Sequence, residues 1–594
     1  MTPQFILAAL LLVLSSSAAQ AGEPRSREWL IRYVTQPIPS TPRNQRYLAE
    51  INRHLDDKFL GLDLNFLESG GGNQSRAQTN TIGRLAFCYH TPGTRYYRDA
   101  QVLDKLRRAY LAVVKHIGPD GFMTWLGDAD YFWQAHEQAW RLEPLLLSYI
   151  WAGAEFPQPD RALIDAALKR AAAWLLQHPL DQTNNRGAVW CAVATLCGLY
   201  FERPDYLAQV ERYAGPIMNG VVYQDGEVGE HTRQYGGGGP DSNYSYTGWA
   251  YVYLYRLLCG NNEMDGRLLQ AMRWFALYNT LRGFPTVTGA SVRMRNVNPA
   301  SLQDILPGLE RFSHQEPFFA TLAENIFEKT RKYASRFGGH IISPLIWAML
   351  ENGVAPRATP LPAWYANHLQ LYDRQDVQYA LVSRAYQTGV VFRGRLQEGY
   401  YSPLRGIQTF AFGDEYPILL HTDTAQSTTV ADSIDTAAMD VEKGEVLLTK
   451  GPGLATIAER HKTLWTLYAF TPASVVVVYG GARGPITSRW VMNRAVVSQP
   501  ALDASRRCVS FQGRKGRIYY LGGSARLSGE VLEVVADPPL SVFAFSDGSF
   551  RFGRQGRELD FSDSSGRYRL ALEDMLGEDD ALNRKAPLRL AVRR

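Results

Sequence analysis

From Arg25 to Trp364 the chain repeats one pattern. Apolar residues recur at i, i+3, i+4 and i+7, between clusters of Gly, Pro and Asp. Segments 102–116, 161–177, 189–201 and 268–281 each carry it, and each predicts an amphipathic helix. Breakers such as Gly118-Pro119-Asp120-Gly121 stand between them. Roughly ten to twelve such segments suit helix pairs wound into an incomplete α/α toroid better than a coiled coil. The period changes near 369–379. Beyond it, 474–479 (SVVVVY), 516–521 (GRIYYL), 530–535 (EVLEVV) and 540–545 (LSVFAF) are β-branched or aromatic runs bounded by Gly, Asp and Pro. These predict an antiparallel β-sandwich. The proline-rich stretch 356–364 marks the boundary, so the expected domains are a toroid over 22–365 and a sandwich over 366–594.

Residues 1–21 hold no charged residue. An apolar run over 5–14 leads to Ala19-Gln20-Ala21, the small-residue pattern of a cleavage site. This reads as a signal peptide, because the run is shorter than the ~20 residues a membrane span needs. A secreted or periplasmic protein with no membrane insertion is therefore expected. The five cysteines, Cys88, Cys191, Cys197, Cys259 and Cys508, fit no zinc or CxxC spacing and read as buried apolar residues.

Composition narrows the partner. Hydrophobic residues at 45% and charged residues at 20% describe a globular chain, and 594 residues suggest several domains. The 63 basic and 58 acidic residues leave a net charge of +5 and form no Lys/Arg block, which argues against a nucleic-acid partner. With 32 Tyr and 13 Trp, the aromatic content instead suits a carbohydrate surface, with room for a local basic cleft facing an acidic glycan.

Candidate chemistry gathers in 183–256. Asn184 and Asn185 precede a predicted helix. His231 lies in a polar loop with Arg233. Four glycines, Gly236 to Gly239, follow, and then Tyr244, Tyr246 and Tyr251. Taken singly these read as a helix cap, a solvated histidine, a loop and a core stripe. Together they are the residue types that β-elimination on a uronic acid requires. The C5 proton is weakly acidic, so an amide or Arg must stabilise the enolate-like carboxylate. A Tyr or His must act as base, and a Tyr must protonate the leaving oxygen.

The stretch DGEVGEHT, continued by YSYTGWAYVYLYRLL, resembles the hyaluronate/chondroitin/xanthan lyase family, whose pattern is DGSxxxHT then YTGxYG before an apolar helix. That resemblance implies an α/α toroid followed by antiparallel sheets, with His231 as the family's catalytic histidine. Aligned on Leu257-Leu258, the catalytic tyrosine falls on Tyr246; aligned on the YTG triplet, it falls on Tyr251. The segment NNRGAVWCAVATLCGLYF is similar to the Asn motif of heparinase and alginate lyases, which implies Asn185 as the catalytic amide, with Asn184 as the alternative and Arg186 in place of a histidine. TVTGASVRMR is similar to the lyases' GRxxSR segment and implies Arg293 and Arg295 at the substrate carboxylate. His421 is a separate candidate, because heparinase-like lyases bring a histidine from the β-domain into the cleft; a strand-end histidine beside Asp423 is the plain alternative.

Tyr244, Tyr251, Arg186, Arg233, Trp125 and Trp133 are further substrate-binding candidates, and His136, Glu137 and Arg141 share a helix with Trp133 and Trp140. No metal cluster is evident and the chemistry calls for no cofactor, although a structural calcium in the β-domain is compatible with the sequence. Three other readings stand beside the lyase: a hydrolase on the same toroid using a carboxylate pair among Asp225, Glu227, Glu230 and Asp241, a uronyl epimerase, and a non-catalytic binder of acidic glycans. The particular polymer and the oligomeric state are not written in the sequence.

Overall fold

The computed structural model describes residues 25–60, 62–69, 72–126, 131–229, 240, 244–260, 262–279, 299–331, 344–352, 360–374, 377–384, 387–394, 406–412, 419–420, 429–432, 445–451, 453–461, 464–480, 486–491, 499–512, 516–521, 523–529, 531–536, 540–555, 558–571 and 592–593. The chain divides into two compact units. One is Met1–Thr232 with Tyr244–Met272 and Pro299–Arg357; the other is Arg233–Asn243 with Arg273–Asn298 and Ala358–Arg594.

The first unit is helical. Its helices are α1 (Arg27–Thr35), α2 (Pro42–Leu60), α3 (Leu64–Ser69), α4 (Gly72–His90), α5 (Ala100–Val114), α6 (Tyr131–Ala152), α7 (Gln158–Gln177), α8 (Asn185–Tyr200), α9 (Pro204–Val221) and α10 (Tyr244–Cys259). Then come α11 (Asp265–Tyr278), which runs on into the second unit, α12 (Leu306–Phe312), α13 (Phe318–Thr330) and α14 (Pro344–Glu351). Local chemistry sets their starts. Asp99 Oδ1 accepts from the backbone N–H of Gln101 at 2.8 Å and of Val102 at 3.2 Å, capping α5, and proline stands in the first turn of α7 and α9.

Alternate helices form one row. Helix α4 lies beside α6, joined by Arg141 Nε donating to Ser75 Oγ at 2.7 Å and by Phe87 against Trp151 at 5.4 Å between ring centroids. Helix α6 lies beside α8, with Tyr149 and Tyr200 6.4 Å apart. Helix α8 lies beside α10, where a methyl added at Gly248 would come 3.7 Å from Asn185 Cα. Where the helices of each pairing meet, like ends lie together, late against late in α6–α8 and early against early in α8–α10, so the row is parallel and its helix starts share one end. Helices α5, α7 and α9 form a second row, tied to the first by contacts such as Trp190 Nε1 to the Leu175 carbonyl at 3.0 Å. Helix α2 meets the last helices: Arg43 pairs with Glu310 at 2.6 Å with both side chains buried, and Asn44 Nδ2 donates to the Met349 carbonyl at 3.2 Å.

Two small hairpins enter this row and match bond for bond. In the first, Ile117 bridges Met123 and the Gly118 N–H donates to the Phe122 carbonyl at 2.9 Å; in the second, Val222 bridges Val228 and the Tyr223 N–H donates to the Glu227 carbonyl at 2.9 Å. Each turns on Asp-Gly with the glycine at positive φ, +94° at Gly121 and +86° at Gly226. Each glycine also abuts a carbonyl of a second helix. A methyl there would lie 2.1 Å from the Arg170 oxygen or 2.4 Å from the Gln270 oxygen, so only glycine fits.

The second unit holds four antiparallel sheets. The largest has eight strands, ordered Ala501–Asp503, Cys508–Ser510, Arg517–Leu521, Leu540–Ser546, Ser474–Gly480, Leu464–Phe470, Leu454–His461 and Glu445–Gly451. Val475, Val477 and Tyr479 pack on one face with Val382 and Val534, which belong to the five-stranded sheet and one four-stranded sheet. Val476 and Val478 pack on the other face with Phe561 and Leu570 of the second four-stranded sheet. Both faces of the central sheet are therefore covered, one layer more than a two-sheet sandwich. An unbroken SVVVVY run follows from burial on both sides. The cysteines are free thiols and form no Cys191–Cys197 bridge; burial pushes both of those thiols up.

Candidate functional site

At the start of α8, Asn184 is the cap. Its Oδ1 accepts from the Arg186 N–H at 3.0 Å and the Gly187 N–H at 3.4 Å, while its Nδ2 donates to Gln182 Oε1 at 3.2 Å. Those bonds commit Asn184 to the helix start. Asn185 is the first helical residue, 2% exposed and set against Gly248 of α10. Arg186 follows and is partly exposed.

The three tyrosines of α10 part company. At about 100° per residue, Tyr244, Thr247, Gly248 and Tyr251 share a broad face, while Tyr246 lies about 160° round from Gly248. Tyr244 is the first residue of the helix and is partly exposed; Tyr246 and Tyr251 are fully buried. Tyr251 donates its hydroxyl to Glu143 Oε2 at 2.9 Å. Burial and that carboxylate push its phenol well above the ordinary tyrosine range, which makes Tyr251 an interior donor. Thr247 donates to Asp304 Oδ2 at 3.3 Å, and burial raises the Asp304 carboxyl to about 7. Tyr246 lies on the side of Trp249, which stacks on Tyr253 at 5.2 Å.

Helix α6 spends its charges internally. Arg141 donates to Glu137 Oε2 at 2.6 Å and to the Glu137 carbonyl at 2.8 Å, and both side chains are 1% exposed. His136 is buried with its ring 3.5 Å from that of Trp140. Arg76 of α4 lies 4.6 Å over the Trp140 ring and 3.4 Å from Glu137 Oε1. Trp125 is 5% exposed and tilts against His116 at 4.9 Å. Trp133 belongs to α6, and its side chain lies outside the described residues, as do His231, Arg233, Arg293, Arg295 and His421.

The structure thus brings Asn185 and the Tyr244 face of α10 together at the end where the row begins, and along that face Tyr251 feels the charge of Arg76 and meets Glu143, while Thr247 meets Asp304. Motif reasoning passed over Arg76, Glu143 and Asp304. Arg76 and Glu137 are 61 residues apart in sequence, and only the pairing of α4 with α6 joins them. Among the described residues no group of His, Cys, Asp and Glu could hold a metal ion, and no helix is long and apolar enough to cross a membrane.

No protein-family model matches the chain, and no curated protein matches it. Solved structures do. A Streptomyces coelicolor A3 chondroitin AC lyase in complex with chondroitin sulphate is 13% identical with a TM-score of 0.57, over 92% of this chain and 88% of that one. A Paenibacillus xanthan lyase is 9% identical with a TM-score of 0.58, over 92% of this chain but 63% of its own length. A heparinase III is 11% identical with a TM-score of 0.53, over 90% and 91%. At such low identity the likeness speaks for the fold: the chain has the fold of these polysaccharide lyases, helices followed by antiparallel sheets.

Proposed function

We propose that the protein is a secreted or periplasmic polysaccharide lyase that cleaves a uronic-acid-containing polymer by β-elimination, on an incomplete α/α toroid followed by layered antiparallel sheets. One observation carries the reading: Asn185 opens one helix of the parallel row and faces the next helix at Gly248, one turn below Tyr244, within a fold shared with lyases.

The chemistry follows from those positions. The base takes the C5 proton, the C4–O bond breaks, and a C4=C5 double bond forms as the leaving oxygen receives a proton. The Asn185 amide hydrogen-bonds the carboxylate as charge builds on it. Tyr244 is the proposed proton carrier. It shares Asn185's side of α10, it is partly exposed, and it sits at the positive end of a helix, where an anion is stabilised. Tyr246 lies on the far side, and Tyr251 is committed to Glu143. The sequence resemblance adds His231 as a second acid–base group, Arg293 and Arg295 at the carboxylate, and Arg186, Arg233 and His421 toward substrate. These donors hold the developing charge without a metal or cofactor, and a calcium in the sheets would be structural.

The test is a panel of uronic-acid polysaccharides, read in parallel for ultraviolet absorbance of an unsaturated uronate and for new reducing ends. The proposal expects both to rise together on at least one polymer. Reducing ends without the absorbance would mean hydrolysis, and retention of polymer with neither signal would mean a binding protein.

A further inference from the structure

Arg76 differs from the charged groups packed beside it. Its neighbours Glu137 and Arg141 are both 1% exposed and hold one another at 2.6 Å. Arg76 reaches the same carboxylate only at 3.4 Å, beyond the ordinary range for N–H···O, and its side chain is 23% exposed. A guanidinium has five N–H donors, and among the described residues this contact is its one hydrogen bond. Its guanidinium carbon lies 4.6 Å over the buried ring of Trp140. The result is an arginine held against a buried ring with part of its side chain open to solvent.

Its position is set by the packing. Arg76 follows Ser75, which accepts from Arg141 across the α4–α6 seam, so it lies in the second turn of α4 at the end where the row begins. Its charge reaches the Tyr251 hydroxyl on the Asn185 side of α10 and opposes the upward push that burial and Glu143 exert there. The α4–α6 seam thus carries this cation, and its charge is felt at Tyr251.

We infer that Arg76 is an anion anchor for the acidic polymer, its planar fork receiving a carboxylate or sulfate of a sugar unit while Trp140 and Glu137 hold it in place. This rests on the reading of the site as one for acidic glycans. A fork braced from behind loses little freedom on binding an oxyanion, which favours Arg over Lys at this position.

The experiment compares wild type with Arg76→Met, which keeps the stem on Trp140, and Arg76→Lys. Binding is measured by gel retardation in hyaluronan, which carries carboxylates alone, and in chondroitin sulphate, which carries both anions; turnover is measured on whichever polymer is cleaved. Arg76→Met should weaken binding about tenfold, the scale of one charge-assisted hydrogen bond, and flatten its salt dependence. KM should rise while kcat changes less than about threefold, and Arg76→Lys should recover part of the loss. Equal weakening on both polymers assigns the carboxylate; weakening on chondroitin sulphate alone assigns the sulfate. A fall in kcat or in melting temperature with binding unchanged would overturn the inference in favour of a bracing role. Wild-type retention without cleavage of any panel polymer would sink the lyase reading yet leave the Arg76 comparison intact, and wild type retained by neither polymer would overturn the Arg76 inference while the panel assay still judges the lyase reading.

Discussion

The two Asp-Gly hairpins make an instructive pair. Gly118–Met123 and Tyr223–Val228 share their backbone bonds, their positive-φ glycine and the aspartate that bonds two residues on, Asp120 to the Phe122 N–H at 3.1 Å and Asp225 to the Glu227 N–H at 3.3 Å. The second belongs to the stretch that most resembles the lyases. Its twin shows that the Asp-Gly itself is scaffold, a device for turning the chain into the parallel row. The two turns differ in the helix that follows. Helix α6 locks Glu137 to Arg141 and offers Glu143 to Tyr251, whereas α10 opens on a partly exposed Tyr244, one turn before the Gly248 that meets Asn185. The proposed chemistry resides in what the second helix presents at its start.

That contrast can be sharpened first at the tyrosines. Tyr244→Phe should lower kcat by about 10²–10⁴-fold, the usual range for losing an acid–base group, with binding largely kept. Tyr246→Phe should cost far less; if the two effects are reversed, the face assignment of α10 is wrong. Next comes the structural helix. Glu137→Ala leaves Arg141 buried without its carboxylate and should cost about 3–5 kcal/mol in denaturant unfolding. A stability loss below about 1 kcal/mol would contradict the view that α6 is a locked element.

The hairpins themselves come third. Gly121→Ala and Gly226→Ala should each destabilise by at least about 1–3 kcal/mol and by similar amounts, because both place a methyl at positive φ against a carbonyl. Unequal melting shifts would break the equivalence. The last test is a pH slope. Burial raises Asp304 to about 7, above its ordinary 3.8, so the folded state binds more protons between those values. Its contribution is therefore full below about 4 and is lost as pH rises toward 7. Asp304→Asn should flatten that part of the stability profile; an unchanged slope would remove Asp304 as its source.

Much of this was legible in the chain. Helical periodicity followed by β-branched runs foretold helices then sheets, and NNRG foretold a capped helix. The division of labour between the two asparagines was not, because either could cap until the bonds of Asn184 to Arg186 and Gly187 were seen. The tyrosine spacing held more than was drawn from it: Tyr244 is four residues before Gly248 and shares its face, while Tyr246 is two before it and cannot. Arg76 had no motif to announce it, since its partners arrive from another helix. The extra sheet layer was written in SVVVVY, whose lack of alternation signals burial on both faces.

The central claim is that this site breaks the polymer by elimination. Its most direct test is the mass balance of products from a uronic-acid oligosaccharide of known length. The account predicts two fragments whose masses sum to that of the substrate, one of them carrying the double bond, with the signal lost in Tyr244→Phe. Fragments that together exceed the substrate by one water would contradict it.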